Sequence, residues 1–225
     1  MGRLFGTDGV RGIANRDLSC ELAFKIGAVG AYVLTNEVHS PRILVGMDTR
    51  KSGTMLGAAL SAGICSVGGD VLDVGILPTP AMAYLVRLYE ADAAVMISAS
   101  HNTMEYNGIK WFDKSGFKLL DEIEDRIETI IQSGEELPRP EGRDVGRIIS
   151  AVRAKKDYCD YLVEQSEYRF EGLRIVLDCA HGASSFIAKE VFERLGAEVI
   201  AKSCAPDEIG RAQRLNSSHI TISYA

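Results

Sequence analysis

Residues 93–102 read Ala-Ala-Val-Met-Ile-Ser-Ala-Ser-His-Asn, and residues 106–110 follow as Tyr-Asn-Gly-Ile-Lys. The apolar run Ala93–Ile97 has the length and character of a buried strand. It stops in small polar residues, which is where open α/β sheets place their ligands. Ser100 supplies a hydroxyl, His101 a group that titrates near neutrality, Asn102 an amide and Lys110 a fixed positive charge. A hydrolase serine would call for a G-x-S-x-G elbow, and this stretch has none. A hydroxyl ringed by His, Asn and Lys suits a phosphate, whose oxygens need donors and cations.

Working outward, the same alternation of buried strand and amphipathic helix recurs on both sides. Upstream, Ser19 precedes a helix with Leu22, Ile26, Val29 and Val33 on one face. Ile43–Met47 is a buried strand that runs into Asp48-Thr49-Arg50-Lys51-Ser52-Gly53, a loop read as scaffolding. A helix aligned on Leu56, Leu60, Ile64 and Val67 follows, then a strand at Val71–Val74 and a short helix opened by Leu77-Pro78-Thr79-Pro80. Downstream, Ile109–Phe112 is a strand or hairpin arm. Ile123, Ile127 and Ile130 mark a helix whose acids (Asp121, Glu122, Glu124, Asp125, Glu128) are expected to face solvent. Ser133–Arg147, rich in Gly, Pro and charge, reads as a connection. Beyond it a helix at Tyr158–Leu162, a strand at Arg174–Leu177, a turn at Asp178–Ser184, a helix at Ile187–Leu195 and a strand at Glu198–Ala201 begin a second α/β unit. The expected fold is therefore α/β: a mixed sheet with helices on both faces in residues 1–135, a connection at 136–152, and the incomplete start of a similar unit at 153–207.

The opening segment Phe5-Gly6-Thr7-Asp8-Gly9-Val10-Arg11-Gly12 reads as a glycine-rich turn carrying an arginine able to fork onto a phosphate or carboxylate. The totals fit a globular protein: 225 residues, 46% hydrophobic and 25% charged. A net charge of −6 argues against nucleic acid or an anionic membrane as partner. No run approaches the roughly 18 apolar residues of a membrane span, and no signal peptide is evident, so a cytoplasmic location is expected. The five cysteines (Cys20, Cys65, Cys159, Cys179, Cys204) form no C-x-x-C pair and suit reduced, buried thiols, with no zinc.

Three loops, in order, and a fourth with one replacement, carry a resemblance to a known family. Ser98-Ala99-Ser100-His101-Asn102 with Asn107-Gly108-Ile109-Lys110 resembles the phosphoserine loop of the α-D-phosphohexomutases, with Thr103 where that family usually has proline. Gly46-Met47-Asp48-Thr49-Arg50-Lys51-Ser52-Gly53 resembles the family's G-x-D-T-R-x-S-G loop. Phe5–Gly12 matches the opening of its phosphoglucosamine mutase branch at every position, and Asp178-Cys179-Ala180-His181-Gly182-Ala183 is similar to D-C-A-N-G-A, with His181 replacing asparagine. The resemblance implies a phosphosugar substrate and an intramolecular phosphoryl transfer through a 1,6-bisphosphate, with glucosamine 1,6-bisphosphate as activator. Ser100, His101, Lys110 and Arg11 would be catalytic, and Asn102, Thr7 and Asn107 would bind phosphate. It also implies magnesium, held in part through the phosphate on Ser100. The D-G-D-x-D-R loop that would supply its carboxylates is absent from the sequence.

Phosphoglucose or phosphomannose as substrate, and a non-catalytic phosphate-binding role, remain alternatives, and homo-oligomerisation is left open. The resemblance runs from Gly2 to Asp207. Residues 208–225 resemble a translated sequencing adapter and are expected to be a non-native tail on an incomplete, inactive piece; a terminal strand, from the alternation of Ile220, Ile222 and Tyr224, is the other reading.

Overall fold

In the computed structural model, residues 4–34 and 40–205 are described, together with the backbone of 221–224. Six strands form the first sheet: β1 (Val10–Ile13), β2 (Arg42–Met47), β3 (Asp70–Ile76), β4 (Ala93–Ile97), β5 (Tyr106–Asp113) and β6 (Ile148–Ser150), in the order β1-β5-β4-β2-β3-β6. The neighbours β4, β2, β3 and β6 are parallel, whereas β5 is antiparallel to both β4 and β1. The mixed α/β sheet expected from the sequence is present.

Period-two alternation sorts the strand residues between two cores. Ile43, Val45, Val95, Ile97, Ile109 and Trp111 point to one face, against α1 (Cys20–Leu34), α2 (Ser52–Ser66) and α4 (Asp121–Ser133). Leu44, Ala94, Met96 and Phe112 point to the other, against α3 (Thr79–Leu88), α5 (Ala154–Glu164) and α6 (Ala188–Arg194). Ser19 opens α1, its hydroxyl accepting the Leu22 N–H at 3.3 Å. The two glycines at the α1–α2 crossing are there for close approach. A Cβ on Gly27 would lie 2.2 Å from the Leu60 carbonyl, and one on Gly63 would lie 2.1 Å from that of Phe24.

Two local expectations are corrected. Glu124 and Glu128 do not face solvent: they are 1% and 9% exposed. Glu124 accepts from Lys118 Nζ at 2.7 Å, while Glu128 accepts from the Phe5 N–H at 3.3 Å and from Gln132 Nε2 at 2.7 Å. Their four-residue spacing places them on one strip of α4, beside its buried isoleucines, and partners there make burial tolerable. Arg11, read as part of a glycine-rich turn, stands on strand β1, paired with β5, where Lys110 was expected to lie on a strand or hairpin arm.

Within the expected connection 136–152, Ile148–Ser150 adds as the edge strand β6 against β3. The second sheet has the order β8-β7-β9, with β7 (Arg174–Asp178) parallel to β8 (Glu198–Lys202) and antiparallel to β9 (Thr221–Tyr224). Of the expected tail, only the backbone of these four β9 residues lies among the described residues. The helix expected at Ile187–Leu195 is α6, preceded by a 3-10 turn at Ala183–Phe186. No helix among the described residues is long and apolar enough to cross a membrane.

Candidate active site

Strand β4 delivers the chain into the Ser98–Asn102 loop, and hydrogen bonds fix that loop before any ligand is considered. The Ser98 N–H donates to the Gly108 carbonyl at 2.9 Å, continuing the β4–β5 pairing by one residue. Gly108 is required at that approach, since a Cβ there would sit 2.7 Å from the Ser98 carbonyl and 3.0 Å from Arg11 Cγ. The Ser98 hydroxyl donates to Asp48 Oδ2 at 2.6 Å and accepts the Ser100 N–H at 2.9 Å. Ser100 itself takes the left-handed conformation, φ 53°. For a residue with a Cβ that conformation is costly, and it persists only where the surroundings dictate it.

Arg50 does much of the dictating. Its guanidinium, almost fully buried, donates to the carbonyls of Ser100 at 3.0 Å and Asn102 at 2.7 Å through one nitrogen. The other terminal nitrogen donates to Thr103 at 2.5 Å and Tyr106 at 2.9 Å, and Nε donates to Asp48 Oδ2 at 3.2 Å. All five donors of a rigid fork are thus spent on one loop and the carboxylate that holds it. Asp48 also receives the Arg50 N–H at 2.9 Å through Oδ1. The loop after β2 therefore clamps the loop after β4, the scaffolding part read for Asp48-Thr49-Arg50 in the sequence.

Around Ser100 the polar groups are arranged as follows. His101 is exposed, its Nδ1 3.3 Å from Ser100 Oγ. Asn102 is half-buried, with its N–H donated to the Ala99 carbonyl at 3.0 Å. Lys110 lies opposite Met96 of β4, with Nζ 3.6 Å from Asp8 Oδ1 and 5.8 Å from the centre of the Phe112 ring. Arg11 lies opposite Gly108, and its guanidinium is 3.3 Å from Asp8 Oδ2. Strand order brings these residues together: β5 sits between β1 and β4, so Arg11, Lys110 and the Ser98–Asn102 loop come from three adjacent strands.

The two other residues read from sequence as phosphate-binding, Thr7 and Asn107, sit in contrasting surroundings. Thr7 is exposed at the tip of a tight turn in which Gly6 and Gly9 exchange backbone hydrogen bonds at 3.0 and 3.2 Å. Asn107 is fully buried: its Nδ2 donates to the Ser52 hydroxyl at 2.9 Å and its Oδ1 accepts the Gly108 N–H at 2.8 Å. It braces β5 against the start of α2. Asp8, which the sequence reading passed over, is the carboxylate that holds both Arg11 and Lys110. Its only signal in the sequence is an acid inside a Gly-Thr-Asp-Gly turn three residues before an arginine.

The arrangement presents a serine in strained backbone beside an imidazole, on a loop whose neighbouring strands carry two cations partly balanced by one carboxylate. A phosphoryl group on Ser100 Oγ would add negative charge, and cations such as Arg11 and Lys110 on the adjacent strands are the kind of group a phosphoryl carrier requires. Magnesium is a different matter. Among the described residues, no group of three or more His, Cys, Asp or Glu side chains is placed to hold a metal ion. These residues alone do not fit a magnesium site.

Comparison with known proteins shows the family. Residues 2–138 match the family model described as phosphoglucomutase/phosphomannomutase, alpha/beta/alpha domain I. A phosphoglucosamine mutase of Thermoanaerobacter sp. (strain X514) is 57% identical over 206 residues, covering 92% of this chain and 46% of the relative. One from Clostridium novyi (strain NT) is 54% identical over 220 residues, covering 97% and 49%. The chain thus spans about half the length of the curated relatives it matches. A crystal structure of a phosphoglucomutase/phosphomannomutase family protein from Burkholderia thailandensis shares the fold, with a TM-score of 0.78 at 23% identity over 92% of this chain and 45% of that one. With residues 2–138, which hold five of the six strands of the first sheet, matched by the family's domain I, the chain belongs to the phosphoglucomutase/phosphomannomutase family.

Proposed function

We propose that the protein acts in the interconversion of glucosamine 6-phosphate and glucosamine 1-phosphate, with Ser100 as the residue that carries the phosphoryl group. The observation that carries this reading is Ser100 itself: a left-handed residue whose backbone is fixed by Arg50 and Ser98, beside His101, on a loop next to the strands that carry Arg11 and Lys110. Phosphoryl transfer asks little covalent chemistry of a protein beyond positioning and charge stabilisation. Here the loop does the positioning, and Arg11 and Lys110 supply charge to the phosphoryl oxygens. His101, with Nδ1 3.3 Å from Ser100 Oγ, would hold a proton there as the phosphoryl group leaves. Glucosamine 1,6-bisphosphate would return the phosphoryl group to the serine. Magnesium, when bound, would neutralise phosphoryl charge; Ser100, through its phosphate, is the contribution this chain makes to it. The glucosamine preference rests on the match of Phe5–Gly12 to that branch and on the printed names of relatives that are 54–57% identical.

The test is phosphorylation. Incubated with glucosamine 1,6-bisphosphate, the protein should gain one phosphate, mapped by peptide mass to Ser100 and absent from Ser100→Ala. Glucose and mannose 1,6-bisphosphates should react more slowly. Label on Ser98, or label persisting in Ser100→Ala, would overturn the assignment, and equal rates with all three sugars would overturn the glucosamine preference.

A further inference from the structure

The second sheet holds a pair of thiols that the phosphoryl chemistry does not use. Cys179 follows the last residue of β7, and Cys204 lies two residues beyond β8. The strands are in register at Asp178 and Lys202, so both cysteines leave the sheet at the same end. The Lys202 carbonyl joins them: it accepts the Cys179 N–H at 3.0 Å and the Cys204 thiol at 3.3 Å. Cys179 is a member of the small core of this sheet, with Ile175 and Leu177, and Cys204 packs against that core. The two thiols are close enough for the Cys204 side chain to help raise the Cys179 thiol.

Their exposures differ. Cys179 is 3% exposed and Cys204 half-buried. Burial, reinforced by the neighbouring thiol, pushes the Cys179 thiol up to about 12, which keeps it protonated and inert towards solutes. Cys204 is the member of the pair a solute can reach. Both are free thiols in this structure.

We propose that Cys179 and Cys204 form a reversible disulfide, made by exchange with a small-molecule disulfide such as oxidised glutathione. The Cys204 thiolate attacks one sulfur of the small disulfide, forming a mixed disulfide and releasing one small thiolate. The Cys179 thiol then gives up its proton and attacks Cys204 Sγ, expelling the second small thiol. Two protein thiols and one disulfide become one protein disulfide and two small thiols, so atoms and electrons balance.

The bond would tie two segments of left-handed backbone together: Ala180 and His181 (φ 48° and 55°) on one side and Ser203 (φ 54°) on the other. Those segments already meet, the His181 N–H donating to the Ser203 carbonyl at 2.8 Å. Their outlet is the active-site scaffold, because the His181 carbonyl accepts the Thr49 hydroxyl at 2.7 Å, one residue before Arg50. Oxidation would therefore staple the turn on which the Arg50 loop rests.

The test uses the native chain, treated with excess oxidised glutathione without denaturant, quenched with an alkylating agent and digested with trypsin. Cleavage at Lys189 and Lys202 separates the two cysteines, so a bond between them appears as a cross-linked peptide pair. The expected product is that pair, with the loss of two hydrogens and reversal by a thiol reductant. Cys179→Ser should stop at a mixed disulfide on Cys204, and Cys204→Ser should leave Cys179 unmodified in the folded protein. A stable mixed disulfide on Cys204 in the unsubstituted chain would overturn the proposal. So would cross-links involving Cys20, Cys65 or Cys159 in preference, or a Cys179–Cys204 bond that forms only after unfolding.

Discussion

Arg50 shows how much of a reactive serine's geometry is supplied from elsewhere. Four backbone carbonyls of the Ser100 loop converge on one buried guanidinium, and Asp48 answers its charge while also holding Ser98. Replacing Arg50 by methionine keeps the stem but leaves a buried carboxylate and four carbonyls short of donors. The expected cost is about 3–5 kcal/mol in urea unfolding, the range for breaking a buried ion pair, with Ser100 phosphorylation lost in the folded remainder. A cost under about 1 kcal/mol would mean that water or neighbouring donors replace the guanidinium, and the clamp reading would fail. Some of this was legible in advance: Ser100, His101, Lys110 and Arg11 stand out as residue types that suit phosphate. The division of labour was not. Nothing in the order Tyr-Asn-Gly says that Asn107 is buried against Ser52, because that depends on β5 pairing with both of its neighbours. Asp8 was missed because its importance lies in two cations, one of them a hundred residues away in sequence.

At the scale of elements, strands written as continuous apolar runs declared themselves, and β2, β4 and β7 fall close to where those runs put them. The elements misread were those whose burial is decided by partners. Glu124 and Glu128 look solvated until Lys118 and the Phe5 N–H are seen to meet them. Val10–Ile13 looks like a turn until β5 offers it an edge. The contact between α3 and α5 carries a consequence in alkali. Tyr84 stacks on Tyr161 with ring centres 3.8 Å apart, Tyr158 lies 6.2 Å from both, and the Tyr89 hydroxyl donates to Asp157 at 2.8 Å. Burial pushes Tyr158 up to about 12, and burial together with the Asp157 hydrogen bond raises Tyr89 further. Between pH ~10, where an unfolded tyrosine ionises, and the folded value, the native state keeps a proton that the unfolded state has lost. Stability must then fall as pH rises through that window, with the full contribution present below it. For Tyr158 alone the loss should reach about 2 kcal/mol by pH ~12. Tyr158→Phe should flatten this limb in urea unfolding followed from pH 8 to 12. An unchanged slope would mean that the hydroxyl is hydrated in the folded protein.

At the scale of the whole molecule, the two sheets share a core. Leu77, Met82 and Leu85 from the first unit, Tyr158 and Cys159 of α5, and Ile187, Val191 and Leu195 around α6 form one buried cluster. Buried apolar contact of this kind transmits loss of structure, whereas units joined by a wet or polar interface open separately. The lone tryptophan offers a test, because Trp111 is fully buried in the cluster on the opposite face of the first sheet, against Gly30 of α1. Among the described residues its cluster holds nothing beyond Leu137, so it reports on the first unit. Leu195→Ala removes a side chain that is 4% exposed, at the end of α6. A leucine truncation of this kind costs about 2–5 kcal/mol where the cavity cannot collapse. If the shared cluster couples the units, Trp111 fluorescence should follow the same unfolding curve as the far-ultraviolet circular dichroism, and Leu195→Ala should move both midpoints downward together. If it does not, the variant should unfold its second sheet early while the Trp111 midpoint stays where it was. That second outcome would separate the Ser100 loop from everything beyond α5, and the Thr49–His181 hydrogen bond would then be a contact between independent bodies.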